Sequence, residues 1–340
     1  MIPTSTSTPT AAAAGPLLSV IVLSYNYGRF LAACIDSVLA QDYAPLQVIV
    51  VDDGSTDESR AVIARYGPRI TAALKSNGGE ASSMNLGFAL SEGEVVVFLD
   101  SDDYLLPGAL AAHVRALASP GVVRSQAYLT VLDGDRPAGE RLPSVPVADG
   151  DLRTLILERG PGAYVSPPNS GNAWSRRFLE QVFPLPEHPK TIGGETYLMD
   201  SAPLFGASVT LTGPAAAYRR HGANTSGVAA TMNAANIAIA IRHREARIER
   251  LVRVATALGY VPQADRWMSS NWRFQTLSYL SNRLGGSAPR LPLSDHLRPA
   301  LAHEHPAKRS LLAAGLIAVR VAPLTLSLFI ASRMIKLRYL

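Results

Sequence analysis

The feature that most limits the fold of this chain is an alternation between short apolar runs and segments with helical spacing. The runs long enough for buried strands are 17–24, 46–53, 70–74 and 94–100. The intervening segments with apolar residues three and four positions apart are 29–41, 55–66 and 80–91. This order predicts an α/β fold of βαβ units around a parallel sheet.

Polar clusters follow three of the predicted strands. They are "SYN" at 24–26, "DDGSTD" at 52–57 and "DSDD" at 100–103. The carboxyl ends of parallel strands joined by right-handed crossovers meet at one edge of the sheet, where ligands bind in open α/β folds. We therefore expect these clusters to form one site.

The "DSDD" cluster places three carboxylates within four residues. Such carboxylates repel one another unless a positive group lies among them. Asp100 and Asp102 are two positions apart, so they would point the same way from an extended chain and suit Mg²⁺ or Mn²⁺. The cluster lacks the glycine and the distal glutamate of a calcium-binding EF-hand loop. Asp52 and Asp53, by contrast, fit a simple turn and helix cap as well as a ligand site.

Composition excludes several classes of protein. Hydrophobic residues make up 47% of the 340 residues, which excludes a disordered chain. The net charge is +5, but the basic residues form no dense run with interleaved aromatics, so we expect no nucleic-acid partner. The single cysteine, Cys34, excludes an internal disulfide and a cysteine zinc site, which makes a cytoplasmic location the default.

Four segments in succession resemble a known family. "SVIVLSYNYGRFLAACIDSVLAQDY", "VIVVDDGSTDES", "NGGEASSMNLGF" and "VVVFLDSDDYLLPGAL" are similar to the blocks of the family 2 glycosyltransferases, in the same order and spacing. The resemblance spans about residues 17–117. It implies the GT-A fold, a Rossmann-like, mostly parallel sheet flanked by helices. It also implies an inverting transferase that takes a sugar from a nucleotide-sugar, usually a UDP-sugar.

The resemblance implies roles for individual residues on the donor side. Residues implied to line the donor pocket are Ser24, Tyr25, Asn26, Asp52, Asn77, Gly79, Asn85, Asp100 and Ser101. Asp52 would accept a hydrogen bond from the base. The ligands implied for Mn²⁺ or Mg²⁺ are Asp102, the main one, with Asp100 and His221. The block "YRRHGANTS" at 218–226 also offers Arg219 or Arg220 against the diphosphate charge, and Arg220 is assigned to the donor site.

The acceptor side depends on a later segment. "SGNAWSRRFLEQVFPLPE" resembles the part of this family that shapes the acceptor pocket, and "GGETYLMDSAPLFG" follows it. Many relatives have an aspartate about eleven residues before a glycine here, and counting back from Gly206 reaches Glu195. We predict Glu195 as the general base, with Asp200 as the alternative.

Two other functions remain open at this stage. One is a nucleotide-sugar-binding module whose acceptor machinery has decayed, because the usual aspartate is absent at position 195. The other is a metal-dependent nucleotidyltransferase, because paired aspartates and Mg²⁺ also serve that chemistry. The chain lacks the P-loop and the Gly-x-Gly-x-x-Gly turn that mark ATP hydrolysis and nicotinamide binding.

The chain divides by composition into four parts. They are a disordered leader at 1–16, a catalytic domain at 17–232, a helical extension at 233–310 and an apolar, basic helix at 311–340. The segment 132–171, rich in Pro, Gly and Asp, is predicted to form loops over the sheet.

The last part predicts peripheral attachment to the cytoplasmic face of a membrane. Arg320 and Pro323 lie near the centre of 311–332, which disfavours spanning a bilayer. Attachment there would suit a lipid-linked saccharide acceptor as well as a soluble saccharide. The alternative is a helix packed on the catalytic domain. The basic helix around 242–253 is either a solvated face or a contact for an anionic acceptor or membrane.

Overall fold

The apolar runs form the strands of a central sheet in the computed structural model, which describes residues 15–134, 136–187, 193–221, 233–269, 271–285, 292–301 and 306–336. The strands are β1 (Leu18–Ser24), β2 (Leu46–Asp53), β3 (Thr71–Lys75), β4 (Val95–Asp100), β5 (Tyr104–Leu105), β6 (Val122–Gln126), β7 (Leu129–Asp133), β8 (Arg136–Leu142), β9 (Asn172–Ser175), β10 (Ala207–Thr210) and β11 (Ala216–Arg220).

Helices connect and cover the strands. In chain order they are α1 (Gly28–Leu39), α2 (Ser59–Ala64), α3 (Glu80–Leu90), α4 (Ala109–Leu117), α5 (Arg153–Arg159), α6 (Arg176–Val182), α7 (Gly194–Ser201), α8 (Ala234–Ala257), α9 (Ala264–Ser269), α10 (Trp272–Leu284), α11 (Leu293–Leu301), α12 (Pro306–Val321) and α13 (Leu324–Lys336).

Among the described residues the central sheet has seven strands in the order β10–β6–β9–β4–β1–β2–β3. β1 is paired in parallel with β2 and β4, and β3 lies parallel to β2. β9 runs antiparallel to its neighbours β4 and β6. The register aligns Ser24 with Asp52 and Leu23 with Asp100, so the carboxyl ends of the three strands lie side by side.

The strands are apolar along their whole length because both faces of the sheet are covered. Val20 and Val22 of β1 face one hydrophobic cluster, which also contains Leu31 of α1. Ile21 faces the opposite cluster, which contains Met84 of α3 and Leu198 of α7. The α/β fold class predicted from the alternation is confirmed.

The prediction that 132–171 consists of loops was wrong in two places. β8 pairs antiparallel with β7 in a second sheet, whose order among the described residues is β5–β11–β7–β8. α5 is a helix of two turns within the same segment. β8 is mostly exposed, so backbone pairing with β7 stabilises it. Its sequence therefore lacks the apolar pattern from which a strand is predicted.

The carboxyl-terminal helices form a cluster of their own. Leu312, Leu316 and Val319 of α12 pack with Ile237 of α8 and Leu280 of α10. The apolar stretch predicted as one helix is divided, since α12 ends at Val321 and α13 begins at Leu324, beyond Pro323. In the part of the chain that the structure describes, no helix has the length and apolar character needed to cross a bilayer.

Candidate active site

The loops after β1 and β2 hold each other through side-chain hydrogen bonds. Asn26 has a left-handed backbone with a φ of 56°, and its Oδ1 accepts the N–H of Thr56 at 2.8 Å. The N–H of Asn26 donates to Ser55 Oγ at 2.9 Å, and the N–H of Gly28 donates to Asp57 Oδ2 at 2.9 Å. Asn26 therefore shapes the pocket by fixing two loops against each other.

Asp52 lies fully buried near the end of β2, and one of its oxygens has no hydrogen-bond partner among the described residues. Its Oδ2 accepts from Arg60 Nε at 2.8 Å and from the N–H of Ser55 at 3.2 Å. Its Oδ1 and the Oγ of Ser24 are buried without a hydrogen-bond partner among the described residues. Tyr25, which directly follows Ser24, is 48% exposed. An unpaired buried oxygen is costly, and the described residues supply no donor to Oδ1 of Asp52.

Asp53, which the sequence analysis did not assign to the site, organises the loop after β3. Its carboxylate accepts from Lys75 Nζ at 2.5 Å and from the N–H groups of Gly78 and Gly79 at 2.8 Å each. Asn77 Nδ2 donates to the backbone oxygen of Asp53 at 3.0 Å. The predicted donor residues Asn77 and Gly79 are therefore held beside the end of β2.

Asp103 is the structural member of the carboxylate cluster. It is buried, and its two oxygens accept from Ser170 Oγ at 2.6 Å and from the N–H of Arg219 at 3.2 Å. Burial, followed by the charge of Asp102, raises the pKa of Asp103 to about 8. Asp103 thus fixes β11 and the segment before β9 to the cluster.

Asp100 occupies the last position of β4. Its Oδ1 accepts from Asn169 Nδ2 at 2.9 Å. Burial raises the pKa of Asp100 well above its usual range, and the charges of Asp103 and Asp102 raise it further. The neighbouring Ser101 is buried, and its Oγ has no hydrogen-bond partner in the described ranges.

Cys34 lies beneath the cluster on α1. Its buried thiol approaches the backbone oxygen of Asp100 at 3.7 Å. Burial raises the pKa of the thiol well above its usual range, and the charges of Asp103, Asp102 and Asp100 add to this effect.

Asp102 and His221, both predicted as metal ligands, form a hydrogen-bonded pair. His221 Nε2 lies 3.0 Å from Asp102 Oδ2, and both side chains are about nine-tenths buried. The imidazole packs against the rings of Tyr27 and Phe30, at centroid distances of 5.3 and 4.7 Å. No group of three or more His, Cys, Asp or Glu side chains in the described residues is arranged to hold a metal ion. Residues 222–226 of the predicted "YRRHGANTS" block lie outside the described residues.

The two arginines of β11 point to opposite faces, as successive strand residues do. Arg220 is half-exposed and pairs with Asp133 at 3.2 Å and Glu140 at 2.6 Å, in the sheet that contains β7 and β8. Arg219 is buried, and its guanidinium lies 4.7 Å from the ring centre of Phe30. The structure therefore places Arg219, and not Arg220, beside the carboxylate cluster.

Asn85 fixes the chain beyond α6 rather than facing the cluster. Its Nδ2 donates to the backbone oxygen of Leu185 and to Glu187 Oε1, both at 2.9 Å, and its Oδ1 accepts the N–H of Leu185 at 2.7 Å. All of its hydrogen-bonding groups thus serve the segment that shapes the predicted acceptor side.

Asp200 is buried at the end of α7 and engaged on both oxygens. Arg247 of α8 donates to it through Nε and Nη2, each at 2.7 Å. The N–H of Gly162 donates to Oδ1 at 3.1 Å. This bidentate pair ties the helical extension to the predicted acceptor side.

Glu195 lies in the first turn of α7. Its N–H donates to Glu80 Oε1 at 3.0 Å. After burial and the cluster carboxylates, the charge of Glu195 further raises the pKa of Asp100. The charge of Glu195 therefore acts on Asp100, although the two residues are distant in sequence.

Arg124 is a further buried cation that the sequence analysis missed. Its Nε and Nη2 donate to Asn172 Oδ1 at 2.9 and 2.6 Å. Its guanidinium lies 5.2 Å from the ring centre of Trp174. The one sequence signal was a charged residue inside the apolar run of β6.

Comparison with known proteins defines the class. Residues 19–140 match the family model described as glycosyl transferase family 2. The solved structure of S. aureus TarS residues 1–349 in complex with UDP-GlcNAc has a TM-score of 0.55 to this chain at 18% identity, covering 94% of this chain and 91% of that chain. The fold is that of the GT-A glycosyltransferases.

Sequence relatives then identify the family. An uncharacterized glycosyltransferase of Nostoc sp. is 33% identical over 267 residues, which cover 77% of this chain and 82% of that protein. The chain belongs to glycosyltransferase family 2, and the predicted family is confirmed. The hyaluronan synthase of Pasteurella multocida is 41% identical over 98 residues, which cover 28% of this chain but 10% of that protein.

Proposed function

We propose that this glycosyltransferase moves a sugar, with inversion, from a UDP-sugar to a hydroxyl group of a saccharide or lipid-linked saccharide. The observation that carries the proposal is the register that sets the carboxyl ends of β1, β2 and β4 side by side, with the unpaired oxygen of Asp52 on β2 and the Asp102–His221 pair after β4. In-line displacement needs a donor pocket, a stabilised leaving group and a base on the opposite side. The similarity to hyaluronan synthase and to the TarS complex with UDP-GlcNAc supports a nucleotide-sugar donor.

The preference for uridine over guanosine follows from the geometry of Asp52. One of its oxygens is engaged by Arg60 and Ser55, so a single acceptor remains. Uracil and thymine each present one ring N–H that this oxygen can accept, whereas guanine presents two adjacent donors. The choice of uridine over thymidine is what the family resemblance implies.

Binding of the free nucleotides tests this assignment. We expect UDP to bind more tightly than GDP or dTDP by calorimetry in Mn²⁺ buffer. Asp52→Asn should weaken UDP binding about 10- to 100-fold, because a hydrogen bond to a charged group is lost. Asp42→Asn, at an exposed position on the loop before β2, serves as the control. Tighter binding of GDP, or unchanged UDP binding by Asp52→Asn, would contradict the assignment.

The Asp102–His221 pair fits a divalent cation. Asp102 Oδ2 and His221 Nε2 lie 3.0 Å apart as a hydrogen-bonded pair, so a carboxylate oxygen and an imidazole nitrogen are presented side by side. Asp102 and His221 would hold the ion, and the bound ion would supply positive charge to the diphosphate leaving group. Mg²⁺ prefers oxygen ligands, so the imidazole favours Mn²⁺.

Release of UDP from UDP-GlcNAc in the presence of water tests this site. We expect EDTA to abolish release, Mn²⁺ to restore it better than Mg²⁺, and Asp102→Asn to lose it while keeping the thermal unfolding midpoint. Full activity in EDTA would exclude a required cation.

An unreactive wild-type protein that still binds UDP would favour the decayed binding module, whereas release of pyrophosphate from UTP and a sugar phosphate would favour a nucleotidyltransferase.

Glu195 is the better base because Asp200 has both oxygens engaged by Arg247. We propose that Glu195 takes the proton from the acceptor hydroxyl as its oxygen attacks the anomeric carbon. UDP leaves from the opposite face of the sugar, which inverts the configuration.

Two conservative variants distinguish these carboxylates. Glu195→Gln should lower the rate of UDP release at least about 100-fold, with little change in UDP affinity, because general bases contribute at least this factor. Asp200→Asn should chiefly lower stability, measured by urea unfolding, because it weakens a buried pair. Near-normal turnover by Glu195→Gln, with loss in Asp200→Asn, would move the base to Asp200.

We also propose that α12 and α13 lie on an anionic membrane surface on its cytoplasmic side. The inner faces of both helices pack into the carboxyl-terminal cluster, but their outer faces are apolar. Exposed apolar residues there are Leu311, Ile317, Val321, Leu326 and Phe329. Residues 306–340 contain six Lys or Arg and no Asp or Glu, which would repel a second copy and attract anionic headgroups.

Sedimentation with liposomes tests the membrane contact. The protein should sediment with phosphatidylglycerol-containing vesicles and not with pure phosphatidylcholine, and binding should weaken with salt because surface charges are screened. A double variant, Val321→Ser with Phe329→Ser, should lose binding. The control is Val261→Ser, since Val261 is 87% exposed between α8 and α9. No sedimentation with anionic vesicles would leave these helices as a packing element only.

A further inference from the structure

Glu80 joins the donor side of the site to the helix that carries Glu195. It is the first residue of α3, directly after Gly79. Its carboxylate accepts the N–H of Glu195 at 3.0 Å and also the N–H of Gly194. Burial raises the pKa of Glu80, although these two hydrogen bonds oppose the shift.

The amino terminus of α7 depends on this contact. The first N–H groups of a helix have no partner within the helix, and a cap residue usually satisfies one of them. The cap position of α7 is Gly193, which has no side chain to serve as an acceptor. A carboxylate from another helix, 115 residues earlier, takes this role and also complements the helix dipole.

The other end of the connection reaches the nucleotide pocket. Asp53 binds the N–H groups of Gly78 and Gly79, the two residues before Glu80. The loops pack so closely that a Cβ on Gly54 would lie 2.6 Å from the nitrogen of Asn77. Two carboxylates in series therefore link the end of β2 to the first turn of α7.

We propose that Glu80 is a positioning residue that places Glu195 against the donor. The inference rests on the proposed function of Glu195 as the base. It predicts a loss in turnover rather than in nucleotide affinity, because Glu80 itself contacts the helix and not the nucleotide pocket.

The first test separates turnover from binding. Glu80→Ala should lower kcat for UDP release from UDP-GlcNAc about 10- to 100-fold, as expected for a misplaced catalytic group. The Kd for UDP should stay within about two-fold. Glu80→Gln keeps one acceptor oxygen, so its kcat should lie between the values of the wild type and Glu80→Ala. The control is Asn271→Ala, which removes the cap of α10, where Asn271 Oδ1 accepts the N–H of Phe274 at 3.0 Å. An equal loss of kcat in the control would reduce Glu80 to a general stabiliser.

A double variant tests whether Glu80 acts through the base. If it does, Glu80→Ala combined with Glu195→Gln should be no slower than Glu195→Gln alone, because the two residues work as one unit. If the double variant instead lost activity by the product of the two single-variant factors, the inference would be overturned.

Hydrogen exchange tests the connection without relying on turnover. Glu80→Ala should speed exchange at the amides of Gly194 and Glu195, because the carboxylate that accepts the N–H of Glu195 is removed. Equal exchange in both proteins would overturn the inference. A wild type that neither binds UDP nor releases it would instead refute the proposed function, and exchange without nucleotide would still decide whether Glu80 holds α7.

Discussion

The parallel pairing of β1 with β2 and β4 is the constraint on which the site depends. Its register sets Ser24 beside Asp52 and Leu23 beside Asp100, so the loops that follow leave the sheet at the same height. A shift of one residue would reverse the faces of every side chain in a strand and break both hydrophobic clusters. The burial that stabilises the sheet thus also fixes the positions of the polar loops.

The strands and their polar ends were predictable because the sheet is covered on both faces and its apolar runs are bounded by carboxylates and turn residues. A strand that is exposed to solvent and held only by backbone pairing has no such apolar pattern in its sequence. β8 forms by pairing with β7 and is exposed, so its residues read as loop. The sequence analysis assigned Arg220 to the donor site, whereas the structure places Arg219 beside the carboxylates, because successive strand residues face opposite sides and the sequence does not show which side is inward.

The site residues also differ in whether a local motif or a distant contact determines their position. Local motifs predicted Asp52, Asp102 and the loop at 77–79 because each lies at or just beyond the end of a strand. The partners of Asp200 and Glu195 could not be predicted, because Arg247 and Glu80 come from remote helices with no shared motif. Asp53 was overlooked because its neighbour Asp52 already explained the paired aspartates. Long-range hydrogen bonds of this kind are set by packing rather than by local spacing.

The position of Cys34 has a practical consequence. It is the one cysteine of the chain, and burial beneath three aspartates keeps its thiol protonated. Thiolates, not thiols, react with alkylating agents and peroxides, so this sulfur is protected from both. A cysteine introduced on the surface could therefore carry a fluorophore or spin label in the otherwise native sequence. Distances between the catalytic core and the terminal helices could then be followed without first removing the natural thiol.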